Sequence, residues 1–258
     1  MNVNLQRRFS VVARQWEALT KACVDSDSQK RLQALWNCLN QLPAQQAASA
    51  HAEIETAYFL AEAGFSLSFL EATNGRTADL ECYVGAHRLF VEVTVIQSTQ
   101  GSAQQSKGGT WRVDQIDYEV DEFFEQALVK RLLARMAEKA KQLEKYCAPV
   151  LLAVSVPDIP DIFEGRVRRQ AIPPLDLQRL AGLLIGVLAD VPQLSAVLLT
   201  LWNAPAQASR NTIRIRQVSW VTRPSGNTTH PRIRLLATNP FARYQVPSHE
   251  RQMIEAVM

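Results

Sequence analysis

The chain has 258 residues, of which 47% are hydrophobic and 21% charged, and a net charge of +3. That balance describes an ordinary globular protein, too apolar for a disordered chain and too nearly neutral for a polybasic nucleic-acid coat. It has no run of the roughly 20 apolar residues a membrane span needs, no signal-peptide core, and no CxxC spacing among Cys23, Cys38, Cys82 and Cys147, which points to a cytoplasmic protein without a disulfide framework or zinc site.

The first 46 residues read as two helices. Phe9, Val12, Trp16 and Leu19 form one apolar stripe, and Leu32, Leu35, Trp36 and Leu39 another. Between them Asp25-Ser26-Asp27-Ser28 marks a break, with Asp27 expected to cap the second helix. A third helix is predicted over 51–64. Ile54, Ala57, Tyr58 and Ala61 line one face, and Gly64 stands where a left-handed C-terminal residue belongs.

Residues 78–95 read as a β-hairpin. Leu89, Val91, Val93 and Val95 alternate with Phe90, Glu92 and Thr94, the period of a strand. Gly85 suits the first central position of a type II′ turn, which pairs Val84 with His87. Opposed residues then have numbers summing to 171, so Asp79 lies across from Glu92. Two facing carboxylates repel unless a cation sits between them. Carboxylates on adjacent strands suit Mg²⁺, which takes one or two of them and keeps several waters.

The segment 97–110 is rich in Gly, Ser and Gln and too long for a tight connection. It is expected to be a loop over the site, with Lys107 touching phosphate, or plain disorder. Residues 118–146 form a long helix with its acids early and its bases late, as the macrodipole favours. Phe124, Leu128, Leu132, Met136 and Leu143 share one side of it, and Lys139 interrupts that stripe. The apolar run 149–157, bounded by prolines, reads as a strand covered on both faces. A buried helix over 175–191 follows, then strands over 194–202, 212–222 and 232–237, with a turn at 224–227. From 203 to 249 there are seven arginines and no Asp or Glu. Arg214 and Arg216 are expected on one strand face, and Arg232 and Arg234 on the next, as a basic surface for a phosphate backbone.

Over about residues 50–156 these features resemble the PD-(D/E)XK nuclease superfamily, with its restriction-endonuclease-like fold. The pattern there is a helix with a Glu, an Asp opening a strand, Glu-X-Lys on the next strand, and a helix often carrying Gln, Lys or Tyr. Glu55 has the spacing to Leu60 and Gly64 that the resemblance favours, with Glu53 its close competitor. Asp79 follows Ala78, and the third element is Glu92-Val93-Thr94.

Thr94 departs from the pattern, because the lysine that orients water and offsets phosphate charge belongs there. Two explanations stay open. Either the cation has moved to another element, with Lys139 favoured over Lys141, or the site is inactive and the fold serves as a binding scaffold. The run Lys139-x-x-Gln142-x-x-x-Tyr146 resembles the helix after the third core strand. The resemblance implies Mg²⁺ or Mn²⁺ on Asp79 and Glu92 with the Val93 carbonyl as third ligand, Glu55 acting through water or a second ion, and Gln142 near the phosphate.

The expected architecture is therefore an α/β restriction-endonuclease-like mixed sheet flanked by helices. A helical extension (1–48) precedes the core (49–157), and a C-terminal α/β addition (158–258) packs on it. The expected function is metal-dependent phosphodiester hydrolysis with nucleic acid, DNA in particular, as partner and a homodimer left open. The alternative is an inactive module of the same fold that binds nucleic acid or a protein. Phosphate-binding Gly-rich loops and the GxSxG nucleophile motif are absent from the sequence.

Overall fold

Two amphipathic helices open the chain, α1 (Val3–Ala22) and α2 (Ser26–Gln41). The structure is a computed structural model that describes residues 3–41, 44–70, 77–96, 120–157, 175–202, 204, 206–208, 212–224 and 229–258. Lys107 with its loop, the turn residues 225–227 and Arg210 lie outside these. Trp16 stacks on Trp36 with ring centroids 4.7 Å apart and donates its indole N–H to the Leu32 carbonyl. The helix start differs from the expectation. Asp25, not Asp27, accepts the Ser28 N–H at 2.7 Å, because a cap must stand just before the first helical residue and Asp27 is already inside the turn.

Helix α3 (Ala44–Glu62) starts well before residue 51, so the boundary drawn at 48/49 falls inside it. It is buried almost all round between 52 and 57, with the sheet beneath it and α1 and α2 against it. Gly64, at φ +94°, ends the helix, and the Phe65 N–H bonds back to the Leu60 carbonyl.

The strands are β1 (Ser66–Phe69), β2 (Leu80–Val84), β3 (His87–Val95), β4 (Val150–Val156), β5 (Ala196–Leu201), β6 (Ile213–Ile215), β7 (Val218–Thr222) and β8 (Ile233–Thr238). The remaining helices are α4 (Val120–Gln142), α5 (Leu177–Ala189) and α6 (Ser248–Ala256). All eight strands make one open sheet in the order β1-β2-β3-β4-β5-β8-β7-β6. The β3–β4 and β4–β5 pairs are parallel and the others antiparallel. The β4–β5 pairing carries the sheet straight across the 157/158 division.

Two cores sandwich the sheet. Val150, Leu152, Val154 and Val156 of β4 point to the α4 and α5 side, where Leu132, Met136, Leu180 and Leu184 meet them. Leu151 and Ala153 point the other way, to Ile54, Leu60 and Ile254 of α3 and α6. Burial on both faces explains the apolar run of β4, which only the buried Ser155 interrupts. Asn239, also buried, donates to the Leu188 and Leu194 carbonyls at 2.7 and 2.9 Å and so ties the end of α5 to the sheet. Among the described residues, no helix is long and apolar enough to cross a membrane.

Three elements depart from the sequence reading. Leu67 and Phe69 alternate with serines in β1, a short edge strand the hydrophobic pattern left unread. α6 likewise has no counterpart among the expected elements; its Glu250 reaches His87, Oε1 to Nδ1, at 2.5 Å. The single strand expected over 212–222 is two, β6 and β7, reversed at Arg216, which takes φ +52°.

Candidate active site

The hairpin register is the one the turn dictates. Val84 pairs with His87 and Leu80 with Val91, and Gly85 has φ +58°. Ladder pairing stops at Leu80, however, so Asp79 is not directly opposite Glu92 as expected. The Asp79 N–H donates to the Val91 carbonyl at 2.9 Å, one position off the register, and its carbonyl accepts from the N–H of Leu70, just past the end of β1, at 2.9 Å. This small offset swings the carboxylate toward β3, where Oδ2 accepts the Val93 N–H at 2.7 Å. In a strand a residue's N–H and C=O leave toward the same neighbour. The Val93 carbonyl therefore faces the Asp79 side, beyond the last paired residue of β2.

Glu92 points to the α4 side with Phe90 and is only 3% exposed. There it meets the residue that breaks the apolar stripe of α4. Lys139 Nζ lies 2.5 Å from Glu92 Oε1 and donates to Gln142 Oε1 at 3.0 Å. Tyr146 completes the run: its hydroxyl accepts the Ala78 N–H at 2.7 Å and its ring packs on Phe90, pinning the segment that carries Asp79. Thr94, two residues beyond Glu92 on the same face, is buried.

Of the two α3 acids, Glu53 lies within the electrostatic reach of Asp79 and Glu92, and Glu55 is engaged elsewhere. Glu53 is buried, close enough to Asp79 and Glu92 to feel their charge, and Arg31 of α2 grips it with two hydrogen bonds of 2.9 and 2.8 Å. Glu55 leaves α3 on the other side. It accepts from Arg234 at 3.3 Å and from the Trp202 indole at 3.1 Å, in a buried group far along the sheet at β8. Two residues advance a helix by about 200°, so neighbouring acids of this spacing cannot serve one site.

The basic surface does not form as expected. Arg234 is buried, and its guanidinium also stacks over Phe59 at 3.9 Å from the ring centroid. Arg232 donates to the Ala206 carbonyl. Arg216 belongs to a turn and not to a strand face. Arg214 is exposed, 3.6 Å from Glu255. Sequence reasoning missed Arg31 altogether: it borders the apolar stripe of α2, and such a position is usually a solvated flank.

Burial raises all three site carboxyls. It pushes Glu53 and Glu92 up to about 7, with the Asp79 charge adding to each and Arg31 or Lys139 opposing. Asp79 is also raised by burial, against the Val93 N–H and the charges of Arg31 and Lys139. A carboxyl with a raised pKa binds more protons folded than unfolded between the two values, so stability falls as pH rises through that window. The protein is expected to resist urea better at pH 5 than at pH 8, with the loss spread between about 4.5 and 7; equal midpoints at the two pH values would contradict it.

Glu92 Oε2 is buried without a hydrogen-bond partner. That orphaned oxygen, the Asp79 carboxylate of the neighbouring segment and the Val93 carbonyl are oxygen donors of the kind that suits Mg²⁺ or Mn²⁺. Among the described residues, no three His, Cys, Asp or Glu side chains form a metal-holding group, and Mg²⁺ commonly takes only one or two carboxylates. No protein-family model, curated protein or solved structure matches this chain.

Proposed function

We propose that the chain is a divalent-cation-dependent nuclease with a restriction-endonuclease-like core. One observation carries this reading: Lys139 reaches from α4 to Glu92, so the cation that Thr94 does not supply stands beside the acid pair. The sequence of elements from α3 through β4 places a helix, three antiparallel strands, a helix and a parallel strand around that pair, in keeping with the same core.

Asp79, Glu92 and the Val93 carbonyl would hold the ion, Mg²⁺ or Mn²⁺. When bound, such an ion lowers the pKa of water and draws charge from a phosphoryl oxygen. Lys139 sets its ammonium against the negative charge that builds on the phosphate during attack. Gln142 holds that ammonium, and the Asp79 carboxylate is itself aimed by the Val93 N–H. Glu53 adds the third carboxylate, held by Arg31. The partner is nucleic acid, DNA in particular, and Arg214 and Arg216 are the arginines of the expected basic surface that stay exposed to meet its backbone.

Cleavage of supercoiled, linear and single-stranded DNA and of RNA, with Mg²⁺ and with Mn²⁺, tests the reading. Asp79→Ala and Glu92→Ala are each expected to lower the rate at least about a hundredfold. Full activity in both would refute the site. An absence of cleavage, together with salt-dependent binding weakened by Arg214→Ala, would support the inactive binding module, which Thr94 in the lysine position favours.

A further inference from the structure

We infer that Arg31 is a positioning residue of this site and the fixed counter-charge that sets its affinity for a divalent cation. The inference rests on the nuclease reading. Arg31 belongs to α2, outside the α3–β4 core, yet its guanidinium makes two near-parallel bonds to Glu53, from Nε at 2.9 Å and from Nη2 at 2.8 Å. The Glu53 side chain is 7% exposed and that of Arg31 27%, so the carboxylate is buried while its cation still touches solvent. Arg31 also feels the charge of Asp79.

The three carboxylates are thus bracketed by two cations from opposite faces of the sheet. Lys139 of α4 holds Glu92, and Arg31, reaching from α2 to α3, holds Glu53. Two consequences follow for the chemistry. The fork fixes the plane of the Glu53 carboxylate by taking both of its oxygens, which a single-point contact does not do. The positive charge offsets part of the negative potential that would draw in a divalent ion. The helical pair α1–α2 is then part of the working site, not a separable appendage.

The test uses the full chain at pH 8, with Mn²⁺ binding read by calorimetry and Mn²⁺-dependent cleavage read by initial rates. Arg31→Met is expected to bind Mn²⁺ several-fold more tightly, because a neighbouring cation is gone, while kcat falls about ten- to a hundredfold with KM near the wild-type value. A purely structural role would not tighten Mn²⁺ binding while slowing turnover. Arg31→Lys keeps the charge and loses the fork. It is expected to bind Mn²⁺ as the wild type does and still lose kcat, and it carries the test alone if Arg31→Met does not fold. Unchanged or weaker Mn²⁺ affinity in Arg31→Met, or wild-type kcat in Arg31→Lys, overturns the inference while leaving the nuclease reading intact. A wild-type chain that cleaves nothing overturns both.

Discussion

Replacing Lys139 with methionine is expected to slow divalent-cation-dependent cleavage by about 10²–10³-fold, the range seen when one preorganised donor to a developing oxyanion is lost. The ammonium is 2.5 Å from Glu92 Oε1 and bonded to Gln142, so it is already held in place before substrate arrives. Methionine matches the length of the side chain and leaves the packing of α4 on the sheet nearly unchanged. Lys139→Arg should recover part of the rate, because it keeps charge at that place.

The same substitution also leaves a buried carboxylate without its cation, a loss of about 3–5 kcal/mol for a paired charge. That loss depends on ionisation. With its carboxyl pushed up to about 7, Glu92 is neutral at pH 5.5 and charged at pH 8.5. The destabilisation should appear in urea melts at pH 8.5 and largely vanish at pH 5.5. Adding Glu92→Gln should restore stability at high pH without restoring cleavage. Half or more of the wild-type rate in Lys139→Met would remove Lys139 from the chemistry and leave the bare acid pair.

The second large effect lies on the other side of α3, at Glu55. Arg234→Met should destabilise the protein by about 3–5 kcal/mol, since it strips a buried carboxylate of its partner and a buried Phe59 ring of its cation. Glu55 sits among Arg234, the Trp202 indole and His51, the last 4.0 Å away. Arg234 contacts no solvent-facing groove, so the salt dependence of nucleic-acid binding should be unchanged in this variant. Loss of an arginine that does touch a phosphate lowers that slope by about 0.7–0.9, as expected for Arg214→Ala. The double variant Glu55→Gln with Arg234→Met should regain part of the lost stability, because neither charge is then left alone.

This pair of predictions separates the two acids of α3. Glu53→Gln should reduce cleavage with a modest effect on stability, and Glu55→Gln should do the reverse. If Glu55→Gln abolishes cleavage at unchanged urea midpoint, Glu55 is the site acid after all and the assignment of Glu53 fails.

Much of the site was legible from local rules. A glycine able to take positive φ placed the turn at Gly85, and a two-residue turn leaves one register, which brought Asp79 and Glu92 to neighbouring strands. The 3.6-residue period made Lys139 conspicuous as a charge in an apolar stripe, and burial beside Glu92 is what such an interruption costs if nothing answers it. The run to Gln142 and Tyr146 follows from the same period. What was less legible is what depends on the ends of elements. The one-residue offset at Asp79 and the reversal at Arg216 are backbone choices that no side-chain pattern announces.

The arginines show the limit from the other side. Alternation put Arg232 and Arg234 on one face correctly in period, but a period does not say whether that face meets solvent or a helix. Here α3 lies against it, and Glu55 and Phe59 receive Arg234. The sequence by itself determined the hairpin register, the alternation of the buried strands and the lysine out of place on α4, because each follows from contacts within a few residues. The tertiary structure alone decided that Glu53 feels the charges of the acid pair, that Glu55 and Arg234 are buried together, and that Arg31 reaches from α2 to grip Glu53. Helix α3 is enclosed on nearly every side, so its own periodicity carries no preferred face, and only its packing between the sheet and α2 sets which acid points where.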